Sequence, residues 1–138
     1  MKNQLDYWSD MLSSEMELKQ KKTVVLGASP NPMRYSYAAT KRLLGKGIDV
    51  VPIGIRKGEI NGLEILNDQP EVDDVHTITL YLNPSRQTAY YDYILGLDPS
   101  RIIFNPGTEN PELINLARER GIETEVACTL VMLSLETY

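Results

Sequence analysis

The sequence is poor in the residues that build common covalent and metal sites. It has one cysteine, Cys128, so no disulfide can form within the chain. It has one histidine, His76, so a zinc site of the Cys/His type is excluded. No stretch approaches the ~20 consecutive apolar residues that cross a bilayer. The start, MKNQLDYWSDML, lacks the basic region, apolar run and cleavage site of a signal peptide. A cytoplasmic location with no membrane contact is the expectation. Excess positive charge is missing too. Fourteen Lys and Arg face nineteen Asp and Glu, a formal net charge of -5, which argues against a nucleic-acid binder. What remains is ordinary: 138 residues, 42% hydrophobic and 24% charged, enough for one globular domain with a real core.

The stretch that organises the chain is Thr23 to Tyr37, TVVLGASPNPMRYSY. A β-branched and apolar run, Thr23–Leu26, stops at Gly27, and a helical pattern opens near Ser36. Strand, tight turn and helix N-terminus is the order that cradles phosphates. Ahead of it, residues 3 to about 20 read as a helix with Leu5, Trp8 and Leu12 on one face. That face either covers a flank of the sheet or makes a dimer contact through Trp8.

Beyond it, strands and helices alternate. The helix from Ser36 to Lys46 offers Ala39, Leu43 and Leu44 to the core and ends at Gly45 and Gly47. A second strand is Ile48–Ile53, with Pro52 placed late because it removes a ladder donor. A loose stretch to Pro70 follows, fixed by Ile60, Leu63, Ile65 and Leu66. A third strand is Val75–Leu82. Asn83 caps, and Pro84 opens, a helix to Leu97. A fourth strand is Arg101–Phe104. Asn110 and Pro111 start a helix carrying Leu113, Ile114 and Ala117 and ending at Gly121. A fifth strand is Ile122–Ala127, and Thr129 to about Glu136 is a last helix. The pattern predicts an α/β fold: a single three-layer domain with a five-stranded parallel sheet in the order 3-2-1-4-5. Residues 1–20 are an N-terminal helical extension, and 21–138 form the domain.

In such sheets ligands bind outside the carboxyl ends of the strands. Those ends carry Gly27, Ala28, Ser29 and Arg34; Gly54, Arg56 and Lys57; Asn83, Ser85 and Arg86; Asn105, Pro106, Gly107 and Thr108; and Cys128. Against G-x-G-x-x-G, the loop keeps Gly27 for the turn. It replaces the second glycine by Ser29 and the third by Pro32. An NAD site would place an acid at the end of the second strand. Arg56 and Lys57 stand there instead, which favours a ligand with an extra ribose phosphate, NADP or coenzyme A. The missing glycines weigh against NADP.

The motifs Val25-Leu26-Gly27-Ala28-Ser29, Arg34 with Ser36-Tyr37, Val51-Pro52-Ile53, Ile60-Asn61-Gly62 and Asn105-Pro106-Gly107 occur in an order that resembles one family. So do Glu109-Asn110, Ala117 with Gly121, and Cys128. The chain resembles the stand-alone CoA-binding domain proteins, small bacterial and archaeal proteins of Rossmann-like fold. It is similar to the CoA-binding domain of succinyl-CoA synthetase α-subunits and ADP-forming acyl-CoA synthetases. The resemblance covers about residues 20–138. It implies that the nucleotide and pyrophosphate meet Gly27, Ala28, Ser29, Arg34 and Tyr37. Ile53, Gly54 and Arg56 would help hold the adenosine phosphate, and Leu82, Asn83 and Pro84 would line the same crevice. The family often carries Asn-Pro after its second strand, where this chain has Gly54-Ile55-Arg56.

Other residues read as follows. Arg34 and Arg56 are phosphate clamps, whereas Arg86 is an ordinary surface arginine. Tyr37 either stacks on adenine or packs the start of its helix. Cys128 is either a small buried apolar residue or a thiol able to form a mixed disulfide with CoA. His76 is structural, and Tyr90, Tyr91 and Tyr93 pack. There is no nucleophile–base set, no paired carboxylates and no Walker pattern. The reading is a non-catalytic module for coenzyme A or acyl-CoA, regulatory or a carrier, acting with a protein partner or as a homodimer. The alternative is an NADP-dependent oxidoreductase or NADP sensor.

Overall fold

The computed structural model describes residue 1 and residues 3–138. Its elements are α1 (Gln4–Lys19), β1 (Thr23–Leu26), α2 (Tyr35–Gly45), β2 (Val50–Ile53), β3 (Glu59–Ile60) and β4 (Leu63–Glu64). They continue with β5 (Thr77–Leu80), α3 (Pro84–Gln87), a 3-10 turn (Thr88–Tyr90), α4 (Tyr91–Gly96) and β6 (Arg101–Phe104). The chain closes with α5 (Pro111–Glu119), β7 (Glu123–Val126) and α6 (Thr129–Ser134). Five parallel strands form one sheet, and β3 and β4 form a small separate hairpin.

The period-two alternation of the strands sorts the core onto two faces. Val24, Leu26, Ile78, Leu80, Ile102 and Phe104 meet Ile94 and Leu95 of α4 and Leu113 and Ala117 of α5. Val25, Val50 and Ile103 meet Leu43 of α2 and Met132 and Leu133 of α6. The result is the three-layer, Rossmann-like α/β arrangement expected from the alternating pattern.

The strand order differs from the expected 3-2-1-4-5. The sheet runs β2-β1-β5-β6-β7, so the third long strand lies beside the first rather than beyond the second. The segment after β2 explains the difference. It carries no crossover helix and lays Leu66 along the outer edge of β2. The Leu66 amide donates to the Pro52 carbonyl at 2.9 Å, and the Gly54 amide donates to the Leu66 carbonyl at 2.9 Å. The place of a third strand is thereby filled. Pro52 turns its missing donor toward this edge, while the carbonyl of Ile53 faces β1 and accepts from Gly27 and Ala28.

Two other expectations are corrected. The helix expected over Pro84–Leu97 is broken, because the turn tightens at Thr88–Tyr90, where Thr and Tyr are weak helix formers. α1 covers no flank of the sheet. None of its residues is buried, and Leu5 is 77% exposed and Trp8 54% exposed. Both faces of the sheet are already occupied by α4 with α5 and by α2 with α6. Local signals form α1: Asn3 caps it, and Asp6 completes a capping box.

Candidate functional site

The parallel strands are in register, so Leu26, Ile53, Leu80, Phe104 and Val126 end the sheet in one row. β1 connects through α2 to one side and β5 through α3 and α4 to the other. The crevice at this switch point is where an open α/β sheet takes a ligand. Above it lies a cleft of about 760 Å³, lined by the loops after β1, β2, β5 and β6.

The floor depends on glycine. Gly27 has a φ of 102°, and a Cβ there would meet the Tyr81 carbonyl carbon at 2.9 Å. The amides of Gly27 and Ala28 both donate to the Ile53 carbonyl at 2.9 Å, so this turn is spent on holding β1 to β2. The loop beyond is self-bonded. The Asn31 amide donates to Ser29 Oγ at 3.1 Å, and the Met33 amide to Asn31 Oδ1 at 3.0 Å. Ser29 keeps its own hydroxyl proton for another acceptor. α2 then opens on the cleft with Arg34 as N-cap and no side chain capping it. Tyr35 and Ser36 in its first turn line the cleft. An uncapped helix start presents amide donors and a partial positive charge to an anion.

Charge on the lining is one-sided. Arg34, Arg56 and Arg86 line the cleft, and no Asp or Glu does. The opposite wall is built by buried amides. Gln87 Nε2 donates to the carbonyls of Leu82 and Thr108, each at 2.8 Å. Its Oε1 accepts from Asn110 Nδ2 at 2.9 Å. Gln87 thus ties the loop after β5 to the loop after β6. Asn83 Oδ1 accepts from the Arg86 amide at 3.1 Å and from Ser85 Oγ at 2.7 Å, which sets the start of α3. Backbone amides around Glu109, its own first and then that of Gly107, hold its carboxyl below the usual value. The Gly107 amide donates to Glu109 Oε1, fixing a loop whose Gly107 and Thr108 face the cleft.

Of the residues singled out in the sequence, Gly27, Ala28, Ser29, Arg34, Ile53, Gly54, Arg56, Leu82, Asn83, Pro106 and Gly107 all line this cleft. Three do not. Tyr37 lies half-buried against the second core face, with Lys41 Nζ 5.9 Å from its ring centre. The helix begins one residue earlier than expected, and two residues of helix turn about 200°. Tyr35, 77% exposed, therefore faces the cleft in its place. Asn105 is buried beneath the floor. Its Nδ2 donates to Thr79 Oγ1 at 2.7 Å and to the Leu80 carbonyl at 2.8 Å, and its Oδ1 accepts from the Thr129 amide at 2.8 Å. Cys128 is half-buried at the start of α6, outside the lining. Arg86, read as a surface residue, belongs to the lining, as does Tyr90. Gln87 was invisible in the sequence, because nothing local marks an amide that bonds two distant loops.

A family model of the CoA binding domain matches residues 21–134. The chain belongs to that family. Family membership supports a role in binding a CoA-related ligand. Among solved structures, one of an uncharacterised protein is 51% identical, covering 86% of this chain and 98% of that one, with a TM-score of 0.84. A structure of cell-free ID.343 from Thermus thermophilus is 23% identical, covering 94% of this chain and 98% of that one, with a TM-score of 0.73. A hypothetical protein from Pyrococcus horikoshii OT3 is 24% identical, covering 92% and 89%, with a TM-score of 0.76. The last two show the fold alone. No curated protein matches the chain. No helix among the described residues is long and apolar enough to cross a membrane, and no cluster of His, Cys, Asp and Glu among them could hold a metal ion.

Proposed function

We propose that the cleft binds coenzyme A or an acyl-CoA, and that the chain is a non-catalytic binding module, regulatory or acting with a partner. One observation carries this reading: a chain of net charge -5 has three arginines and no carboxylate on the lining of its cleft. Such a lining suits a ligand with several phosphates. The pyrophosphate would lie at the start of α2, beside Arg34 and the Ser29 hydroxyl. The 3′-phosphate would reach Arg56 at the end of β2. Tyr35 and Tyr90 offer ring faces for the adenine and for the pantetheine arm.

NADP shares the ribose phosphate, so Arg56 alone does not separate the two ligands. The turn separates them better. A dinucleotide turn brings backbone amides to the pyrophosphate, whereas Gly27 and Ala28 commit theirs to Ile53. Titration calorimetry with CoA, dephospho-CoA and NADPH tests the reading. The expected result is binding of CoA, at least about tenfold weaker binding once the 3′-phosphate is removed, and no heat with NADPH. NADPH binding in preference to CoA would overturn it.

A further inference from the structure

α1 lies outside the residues that match the CoA binding domain, so the domain fold does not require it. No residue of α1 is buried. Leu18, in its last turn, is half-buried against the core, and the rest of its apolar side chains face solvent. Leu5, Trp8, Leu12 and Met16 are spaced so that they form one stripe, about 80° wide at 100° per residue. They are 77%, 54%, 58% and 60% exposed, and Met11 beside them is 54% exposed. Together these five expose on the order of 700 Å². The largest patch on a monomer is about 300–600 Å², and a stable interface takes about 800 Å² from each partner. A 16-residue helix is also near the limit of what stands without tertiary contacts.

The stripe fits a copy of itself. Turned antiparallel about a two-fold axis at residue 10, Trp8 comes opposite Leu12 of the second copy, with Leu5 and Met16 one residue out of level at each end of the seam. Asp6, Asp10 and Glu17 lie on the far side of the helix, away from this seam. Glu15, at the edge of the stripe, comes level with Leu5 rather than with an acid. A far side that is acidic also disfavours the surface of an anionic membrane, where an amphipathic helix carries Lys and Arg.

We propose that α1 joins two copies of this chain as an antiparallel helix pair, with Trp8 and Leu12 at the centre of the seam. The test uses the full chain. Sedimentation equilibrium should give twice the 15.6 kDa chain mass. Trp8 is the one tryptophan, so its emission should move to the blue as concentration rises through the dimer range. Leu12→Asp should raise the dissociation constant at least about 100-fold and leave a folded monomer with solvent-like emission. Ser13→Asp adds the same charge off the stripe and should remain dimeric. A wild-type monomer at about 100 μM would overturn the proposal and leave the stripe to a different partner. So would two variants that behave alike, whether both dimeric or both monomeric.

Discussion

A Cβ on residue 54 would lie 2.1 Å from the carbonyl oxygen of Ala28. The end of β2 and the turn after β1 are therefore in backbone contact, and Gly54 is what allows it. The same approach lets the Ile53 carbonyl accept from Gly27 and Ala28 together. Gly54, where the family often has another residue pair, is thus a packing requirement of this cleft.

Gly54→Ala should force the two loops apart. The group it meets is a backbone carbonyl, which cannot swing aside as a side chain would, on a residue whose own amide is tied to Ile53. The expected cost is about 1–3 kcal/mol of stability, read as a lower urea midpoint at unchanged slope. CoA affinity should fall with it, because Ala28 and Gly54 both line the cleft. An unchanged midpoint would mean that the loops move apart freely.

Asn105 separates structure from ligand contact. It satisfies Thr79, Leu80 and the first amide of α6 from a position 2% exposed. Asn105→Leu takes a partner from the Leu80 carbonyl and the Thr129 amide, while Thr79 Oγ1 keeps Thr129 Oγ1 at 2.8 Å, so the expected cost is roughly 2–4 kcal/mol in denaturant unfolding. Below its lowered melting temperature the variant should bind CoA within about threefold of the wild type. A large loss of affinity in the folded variant would return Asn105 to the site.

β1, β2 and β6 were legible because each is a short, largely β-branched or apolar run that stops at Gly27, Gly54 or Asn105, whereas β7, Glu-Thr-Glu-Val, was legible from Gly121 before it and its place in the alternation. The caps Asn83 and Asn110 were legible because each is followed by proline. The strand order was not, since it depends on Leu66 pairing with Pro52 across a segment with no periodicity. Tyr37 packs rather than stacks, and Tyr35 takes the cleft side, because of where the helix starts, which local signals fix only to within one or two residues. The stripe of α1 was readable, but burial depends on what it meets, and the faces of the sheet were already filled.

His76 should give stability a pH dependence. It sits at the far end of the sheet from the cleft, bonded through Nδ1 to Thr77 Oγ1 at 2.7 Å. Burial lowers its pKa below 6.5, and the charges of Arg101 and Lys21 add to the effect. The folded chain therefore binds this proton less readily than the unfolded chain. The contribution is fully present above pH 6.5 and is lost as pH falls from there through the folded value. His76→Gln should flatten the fall in melting temperature between pH 7.5 and 5, with carboxylates contributing equally to both proteins. Parallel curves for the two would show that His76 titrates alike folded and unfolded.

The arginines of the cleft can be told apart by ligand. All three are exposed, so each gains strength from the phosphate it meets rather than from a buried pair. Removing a charge-assisted hydrogen bond costs about 1.5–3 kcal/mol, or roughly 10- to 100-fold in affinity. Arg56→Ala should cost that much for CoA and under about threefold for dephospho-CoA, because the 3′-phosphate it would meet is already gone. Arg34→Ala should cost both ligands equally, since both keep the pyrophosphate. Raising salt from 50 to 500 mM should weaken CoA more than dephospho-CoA, the screening length falling to several Å. Calorimetry on the two variants and two ligands closes a cycle. If Arg56→Ala weakens dephospho-CoA as strongly as CoA, the 3′-phosphate lies elsewhere, and the orientation of the ligand across β1 and β2 is reversed.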